Sequence, residues 1–108
     1  MRSQREFELG VSLLREASTP QAFDHLLRAI ELDPQNAEAH HILGVLFTAR
    51  GDYPAAERHL GEAARLADDP EVDVRPSLRS EIRNSRGVLL IQQRRFDDAI
   101  VELRAAAA

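Results

Sequence analysis

Four histidines punctuate this sequence, at positions 25, 40, 41 and 59, and three of them fall in one short run, HHILGVLFTARGDYPAAERHL. Imidazoles at this density could furnish a metal site or a catalytic base. The spacing supports neither. His40 and His41 are adjacent, and neighbours on a helix project about 100° apart, so they cannot close on one ion. Glu38 and His41 form one Glu-x-x-His unit, the spacing that helical bundles use to hold two irons. Such a centre takes two of these units and two further carboxylates, and only one copy is present. His25 and His59 stand 34 residues apart. That recurrence suits a scaffold, because a catalytic centre needs a single copy. No His-Glu-x-x-His run, glycine-rich phosphate loop or nucleophile elbow occurs. The absence of cysteine removes thiolate catalysis and cysteine-zinc sites. No catalytic, cofactor or metal residues are expected, and the chain reads as non-enzymatic.

A second chemistry is cationic. Arg75, Arg79, Arg83 and Arg86 follow one another at i, i+4, i+8 and i+11, which draws one stripe along a helix. An acidic partner would dock on such a stripe. The reading favoured here is internal pairing with carboxylates such as Glu62, Asp68, Asp69 and Asp73, since charges at inward-tending positions must be paired or snorkel outward. The chain as a whole is acidic, with a net charge of −4. Non-specific nucleic-acid binding and adhesion to anionic membranes, which need a basic surface, are therefore excluded. All fourteen basic residues are arginine, which points to a GC-rich, bacterial genome. No apolar run approaches the roughly 18 residues of a membrane span. The opening MRSQREFELG lacks the apolar core of a secretory signal. The expected location is the cytoplasm, or the periplasm if an export signal has been removed.

The elements that carry these residues follow from composition and repetition. The sequence is 44% hydrophobic but only 5% aromatic, so its core must be built from Leu, Ile, Val and Ala, of which Leu and Ala are strong helix formers. An offset of 34 residues carries Leu9 to Leu43, Gly10 to Gly44, Ala22 to Ala56, Leu26 to Leu60 and Ala29 to Ala63. A further offset of 43 carries Gly44 to Gly87, Ala56 to Ala99 and Leu60 to Leu103. The nine extra residues fall in PEVDVRPSLR, a loop between Pro70 and Pro76, with Pro76 in the first turn of the next helix. Each unit reads as two antiparallel helices joined by a short turn. Mid-helix glycines at 10, 44 and 87, each costing about 0.5–1 kcal/mol relative to Ala, imply close approach of the second helix, with Ala22, Ala56 and Ala99 as the small residues facing them. Ser18 or Thr19 and Asp52 mark starts of second helices, and Gly51 suits the left-handed end of a first helix. The expected helices are about 3–17, 20–33, 37–50, 54–67, 76–93 and 96–107, and the fold class is all-α.

On these residues the chain resembles the tetratricopeptide repeat family, whose signature is W-x2-L-G-x2-Y, then A-x3-F, then Pro. The first copy offers Glu6, Leu9, Gly10, Leu13, Ala22, Leu26 and Pro34. The second offers His40, Leu43, Gly44, Phe47, Ala56 and Leu60, and the third Arg83, Arg86, Gly87, Leu90, Ala99 and Leu103. The tryptophan is absent from all three, and its slot holds Glu6, His40 or Arg83, which suggests a partly exposed polar ladder across stacked helices. The resemblance implies one domain over 1–108, a right-handed α-solenoid of three helix pairs. Its repeats lie at about 3–36, 37–70 and 80–108, with the insertion at about 70–79.

The resemblance also implies a concave binding face lined by the first helix of each pair. Carried onto this chain, it comprises Phe7, Val11 and Leu14, then His41, Ile42 and Val45, then Asn84, Val88 and Ile91. The apolar members would form a strip with polar edges that takes a peptide or a partner helix. The two-carboxylate clamp with which some relatives hold the acidic tails of chaperones does not carry over. Its lysine, asparagine and arginine positions are here Phe7, Val11, Ile42, Glu81 and Ser85. The expected role is a protein-interaction scaffold. The alternative is a structural or assembly segment of a larger bacterial solenoid, the pilotin-like lipoproteins of type IV pili being an example, or a module that self-associates through an uncapped C-terminal helix, since a solenoid end needs a polar cap.

Overall fold

Stretches of Leu and Ala broken by Asn36, Gly51-Asp52 and the proline-bracketed loop fold as six helices. They are α1 (Arg2–Arg15), α2 (Thr19–Leu32), α3 (Ala37–Arg50), α4 (Tyr53–Asp68), α5 (Leu78–Gln92) and α6 (Phe96–Ala107). The computed structural model describes residues 2–15 and 19–107, with the side chains of 13–15 and 19 outside the description. Among the described residues there is no strand. Each helix packs chiefly on its sequence neighbour, α1 on α2, α3 on α4 and α5 on α6. The pairs then stack through α2 on α3 and α4 on α5, and α3 also touches α5. This is a helical repeat solenoid.

The boundaries have local causes. The Asn36 side chain accepts the Ala39 N–H at 3.1 Å and so starts α3. Asp52 does the same for Ala55 at 3.4 Å, with Pro54 in the first turn of α4. Gly51 ends α3 at φ 80°, where the Asp52 N–H reaches back to the Phe47 carbonyl at 3.0 Å. The same closure ends α5, with the Arg95 N–H on the Leu90 carbonyl at 2.8 Å, but the left-handed residue there is Arg94 at φ 61°. The expected start of α2 at Ser18 lies outside the described residues. The start of α5 departs from expectation by two residues. Pro76 does not enter α5; it occupies a tight turn closed by the Leu78 N–H on the Arg75 carbonyl at 3.1 Å, and the helix begins at Leu78. A fully buried Leu78 fixes that start, and Val72 and Val74 of the inserted loop pack on its cluster with Leu66 and Ile82.

The glycine register is a packing register. A Cβ on Gly10, Gly44 or Gly87 would fall 2.9, 2.5 or 2.7 Å from a side-chain carbon of Leu26, Leu60 or Leu103 respectively. The residue lodged against each glycine is therefore this leucine, one turn beyond the expected alanine. Ala22, Ala56 and Ala99 are buried beside it at no more than 2% exposure, and the Ala22 and Ala99 carbonyls lie 3.2 and 3.7 Å from the Gly10 and Gly87 positions.

Candidate functional site

The first helices present the expected face, but not as one even strip. Val45 on α3 and Val88 on α5 are 42% and 43% exposed and line a groove of about 440 Å3. Thr48, Ala49, Arg50, Tyr53, Ser85 and Gln92 complete its walls. Ile91 is equally exposed, and Asn84 is exposed on the same helix. Val11 and Ile42 are half-buried against the core. Phe7 is turned inward, packed with Phe23, Leu26, Ala29, Ala39 and Leu43. Aromatic bulk was scarce in this sequence, and the junction of the first two pairs uses it: Phe23 meets Phe47 edge-on at 4.8 Å, with the Arg50 guanidinium 4.3 Å above the Phe23 ring. The side chain of Leu14 lies outside the described residues.

His41 is half-buried between α3 and α5, its Nε2 2.7 Å from the Ser85 hydroxyl. Burial holds its pKa below the ordinary value; Arg75 pushes the same way, while Glu81 and Glu38 oppose. A neutral ring bonded to Ser85 ties the second pair to the third next to the groove. This link joins residues 44 apart across the insertion, so nothing in the sequence announced it.

The arginine stripe is largely consumed by internal pairing. Arg75 binds Glu38 and, at 2.8 Å, Glu81. The hydrogen bond to Glu38, then that to Glu81, raises its pKa. Arg79 pairs with Asp68 at 3.0 Å and also donates to the Ala67 carbonyl. Arg86 reaches Glu102 at 3.9 Å. Of the expected carboxylates only Asp68 serves, because Glu62 is taken by Arg65 on its own helix. Arg75 also forms one wall of a wide recess of about 1170 Å3, with Phe7, Leu32, Asn36, Glu38 and Val74.

The tryptophan slots of the first two repeats hold polar pairs within the repeat. Glu6 meets His25 at 2.5 Å, and His40 meets His59 at 3.1 Å, both separated by 19 residues. The expected ladder between repeats is thus replaced by links between the two helices of one pair, and His40 is buried at 7% exposure, not partly exposed. His40 Nε2 lies 3.0 Å from the Pro34 carbonyl, which accepts only, so that nitrogen carries the proton. His40 Nδ1 is then the acceptor for His59 Nδ1–H. His59 stacks on Phe47, and burial, then His40 and Arg58, keeps its pKa below the ordinary value. Recurrence of His25 as His59 at the 34-residue offset, opposite a polar slot residue in each copy, was the available signal for this pairing.

Among the described residues no three His, Asp or Glu side chains converge to hold a metal ion, and no helix is long and apolar enough to cross a membrane.

Helix pairs, glycine-leucine register and an open first-helix face define a class of repeat scaffold, and comparison with known proteins agrees. Models of the tetratricopeptide repeat match residues 25–58 and 49–108. The chain belongs to the tetratricopeptide repeat family. It is similar to the type IV pilus assembly protein PilF of Pseudomonas aeruginosa, with 31% identity over 100 residues, covering 93% of this chain and 36% of that protein. It is also similar to the DnaJ homolog subfamily C member 3 of Gallus gallus, with 30% identity over 96 residues, covering 89% of this chain and 17% of that protein. The chain thus spans well under half the length of either relative. Modules of this family are in general non-catalytic and mediate protein–protein interaction, and that general role is this chain's.

Proposed function

We propose that the chain captures an extended or helical peptide along the face of α3 and α5, with Val45 and Val88 as its apolar contacts. The observation that carries this reading is the groove itself: two valines more than two-fifths exposed, on adjacent first helices, rimmed by Tyr53, Gln92 and Arg50. Such apolar exposure, bordered by polar groups, is the pattern of a recognition surface. Burying about 200 Å2 of apolar surface there would favour binding by about 5 kcal/mol before the entropic cost of association. Ile42 and Ile91 extend the apolar character along the same helices, Val11 continues it on α1, and His41 and Asn84 supply polar contacts at its edges.

The test compares pull-down by the wild-type chain, Val45→Glu and Leu27→Glu. Leu27 is 37% exposed on α2 and serves as a control of similar chemistry on a second helix. Val45→Glu is expected to abolish capture with helical circular dichroism unchanged, and Leu27→Glu to leave it intact. Capture that survives Val45→Glu sinks the assignment to this face.

A second reading, as an assembly segment of a larger bacterial structure, is supported by the similarity to a protein named for pilus assembly.

A further inference from the structure

The groove between α3 and α5 selects the conformation of what fills it. Its walls present side chains at helix-packing intervals, Val45, Thr48 and Ala49 on one side and Ser85, Val88 and Gln92 on the other. Ser85 to Gln92 covers about 10 Å along the helix axis, or about two turns. All of these residues belong to the second and third helix pairs.

Hydrogen bonding separates the two kinds of ligand. An extended segment brings an unpaired N–H and C=O with every residue, and each needs a partner once it leaves water. The groove supplies few. Thr48 gives its hydroxyl proton to the Gly44 carbonyl at 2.8 Å, and the Ser85 hydroxyl is engaged by His41 Nε2 at 2.7 Å. Val45, Ala49 and Val88 carry no polar group at all. The Gly51 N–H is already bound to the Thr48 carbonyl at 3.1 Å. Behind these side chains the backbone is helical, so its groups are spent on one another. Tyr53 and Gln92 remain, both at the end where α3 and α5 finish. A helix satisfies its own backbone and asks the groove only for apolar contact.

Charge narrows the partner further. The chain carries eighteen carboxylate residues, yet among the described residues none lines this groove, and Arg50 is the one charged residue of its wall. We infer, on the reading that this groove is the binding face, that its ligand is an amphipathic helix of a partner protein. The ligand helix carries small aliphatic residues at i, i+3 or i+4, and i+7, with acidic residues along its edges.

Phage-displayed random peptides of about 16 residues, long enough for about four turns, supply the probes. They are panned on the wild-type chain and counter-selected on Val45→Glu. Peptides that bind only the wild-type chain should carry the aliphatic stripe with acidic flanks. Made synthetically, they should gain helical circular dichroism on binding, since free peptides of that length are marginal helices. Proline at a solvent-facing position in mid-helix leaves the contact residues in place, and it should weaken binding more than about tenfold where alanine does not. Groove-dependent peptides that tolerate the proline, or that carry apolar residues at every second position, overturn the helix and leave the groove as the binding face. Enrichment of basic over acidic flanks overturns the charge assignment. If no peptide separates the wild-type chain from Val45→Glu, the groove reading falls and the inference with it.

Discussion

The glycine-leucine register makes a sharp prediction at Gly44. In an unobstructed helix, replacing Gly by Ala stabilises by about 1 kcal/mol, and Gly61 of α4, with nothing within 4 Å of its would-be Cβ, provides that case. At Gly44 the new Cβ would lie 2.5 Å from both Cγ and Cδ2 of Leu60 and 3.3 Å from its backbone nitrogen. Carbon atoms rest at about 3.5–4.0 Å, so two contacts overlap by an ångström or so. Leu60 is fully buried. Overpacking of this kind costs about 1–3 kcal/mol, and overlap at two atoms places Gly44→Ala in the upper part of that range. Net of the propensity gain, Gly44→Ala should lose about 1–2 kcal/mol while Gly61→Ala gains about 1. For a chain of this size the two should differ by roughly 10–15 °C in Tm. Urea denaturation followed by circular dichroism reads both, with equal m values showing that the unfolded state is unchanged. The cause is checked by repeating Gly44→Ala in a Leu60→Ala background, where the obstruction is gone and the change should become neutral or stabilising. A Gly44→Ala variant as stable as Gly61→Ala, or one whose cost persists without Leu60, would refute the account.

Stability should also fall on acidification through the histidine range. His41 and His59 have folded pKa values held below the ordinary ~6.5, so between that value and the folded one the unfolded chain binds more protons, and the urea midpoint should drop as pH is lowered from about 7 to about 5. Glu6, lowered chiefly by its hydrogen bond to His25, contributes stability present above its unfolded value and lost at still lower pH. A midpoint that rises toward pH 5 contradicts this, and His59→Gln should flatten part of the slope. Arg94→Gly should stabilise by about 1 kcal/mol, because a side chain at φ 61° is strained where Gly51, one repeat earlier, is not; an unchanged or lower Tm would count against it.

Much of the fold was legible because its signals are local. Asp52 with Pro54, and Gly51, each act within one turn, and α3 and α6 run over the expected residues. The 34-residue offset exposed a close approach at each glycine, but the residue lodged there is the leucine one turn beyond the expected alanine. The candidate face was less legible. Residue spacing places Phe7 and Val45 on equivalent sides of their helices only approximately, and the packing of Phe23 and Phe47 decides which of them turns inward. The His41–Ser85 link crosses the nine-residue insertion, which breaks the period that made other contacts readable. His40 looked like a surface residue because its mate, the His59 ring, lies on another helix.

The unlike polar pairs that fill the tryptophan slots bear on how the chain finds its topology. Three similar hairpins offer many wrong partnerships during folding, since any first helix could accept the leucine of any second helix in its glycine notch. Polar groups at the same level distinguish them. Were α6 to dock on α1, Glu102 would stand against Glu6; were α2 to dock on α5, His25 would meet Arg83 and Arg86. Each mispairing leaves like or unsatisfied charges where the correct one makes a hydrogen bond or ion pair. The apolar register makes the hairpins alike, and the polar slot restricts the third hairpin to its own two helices.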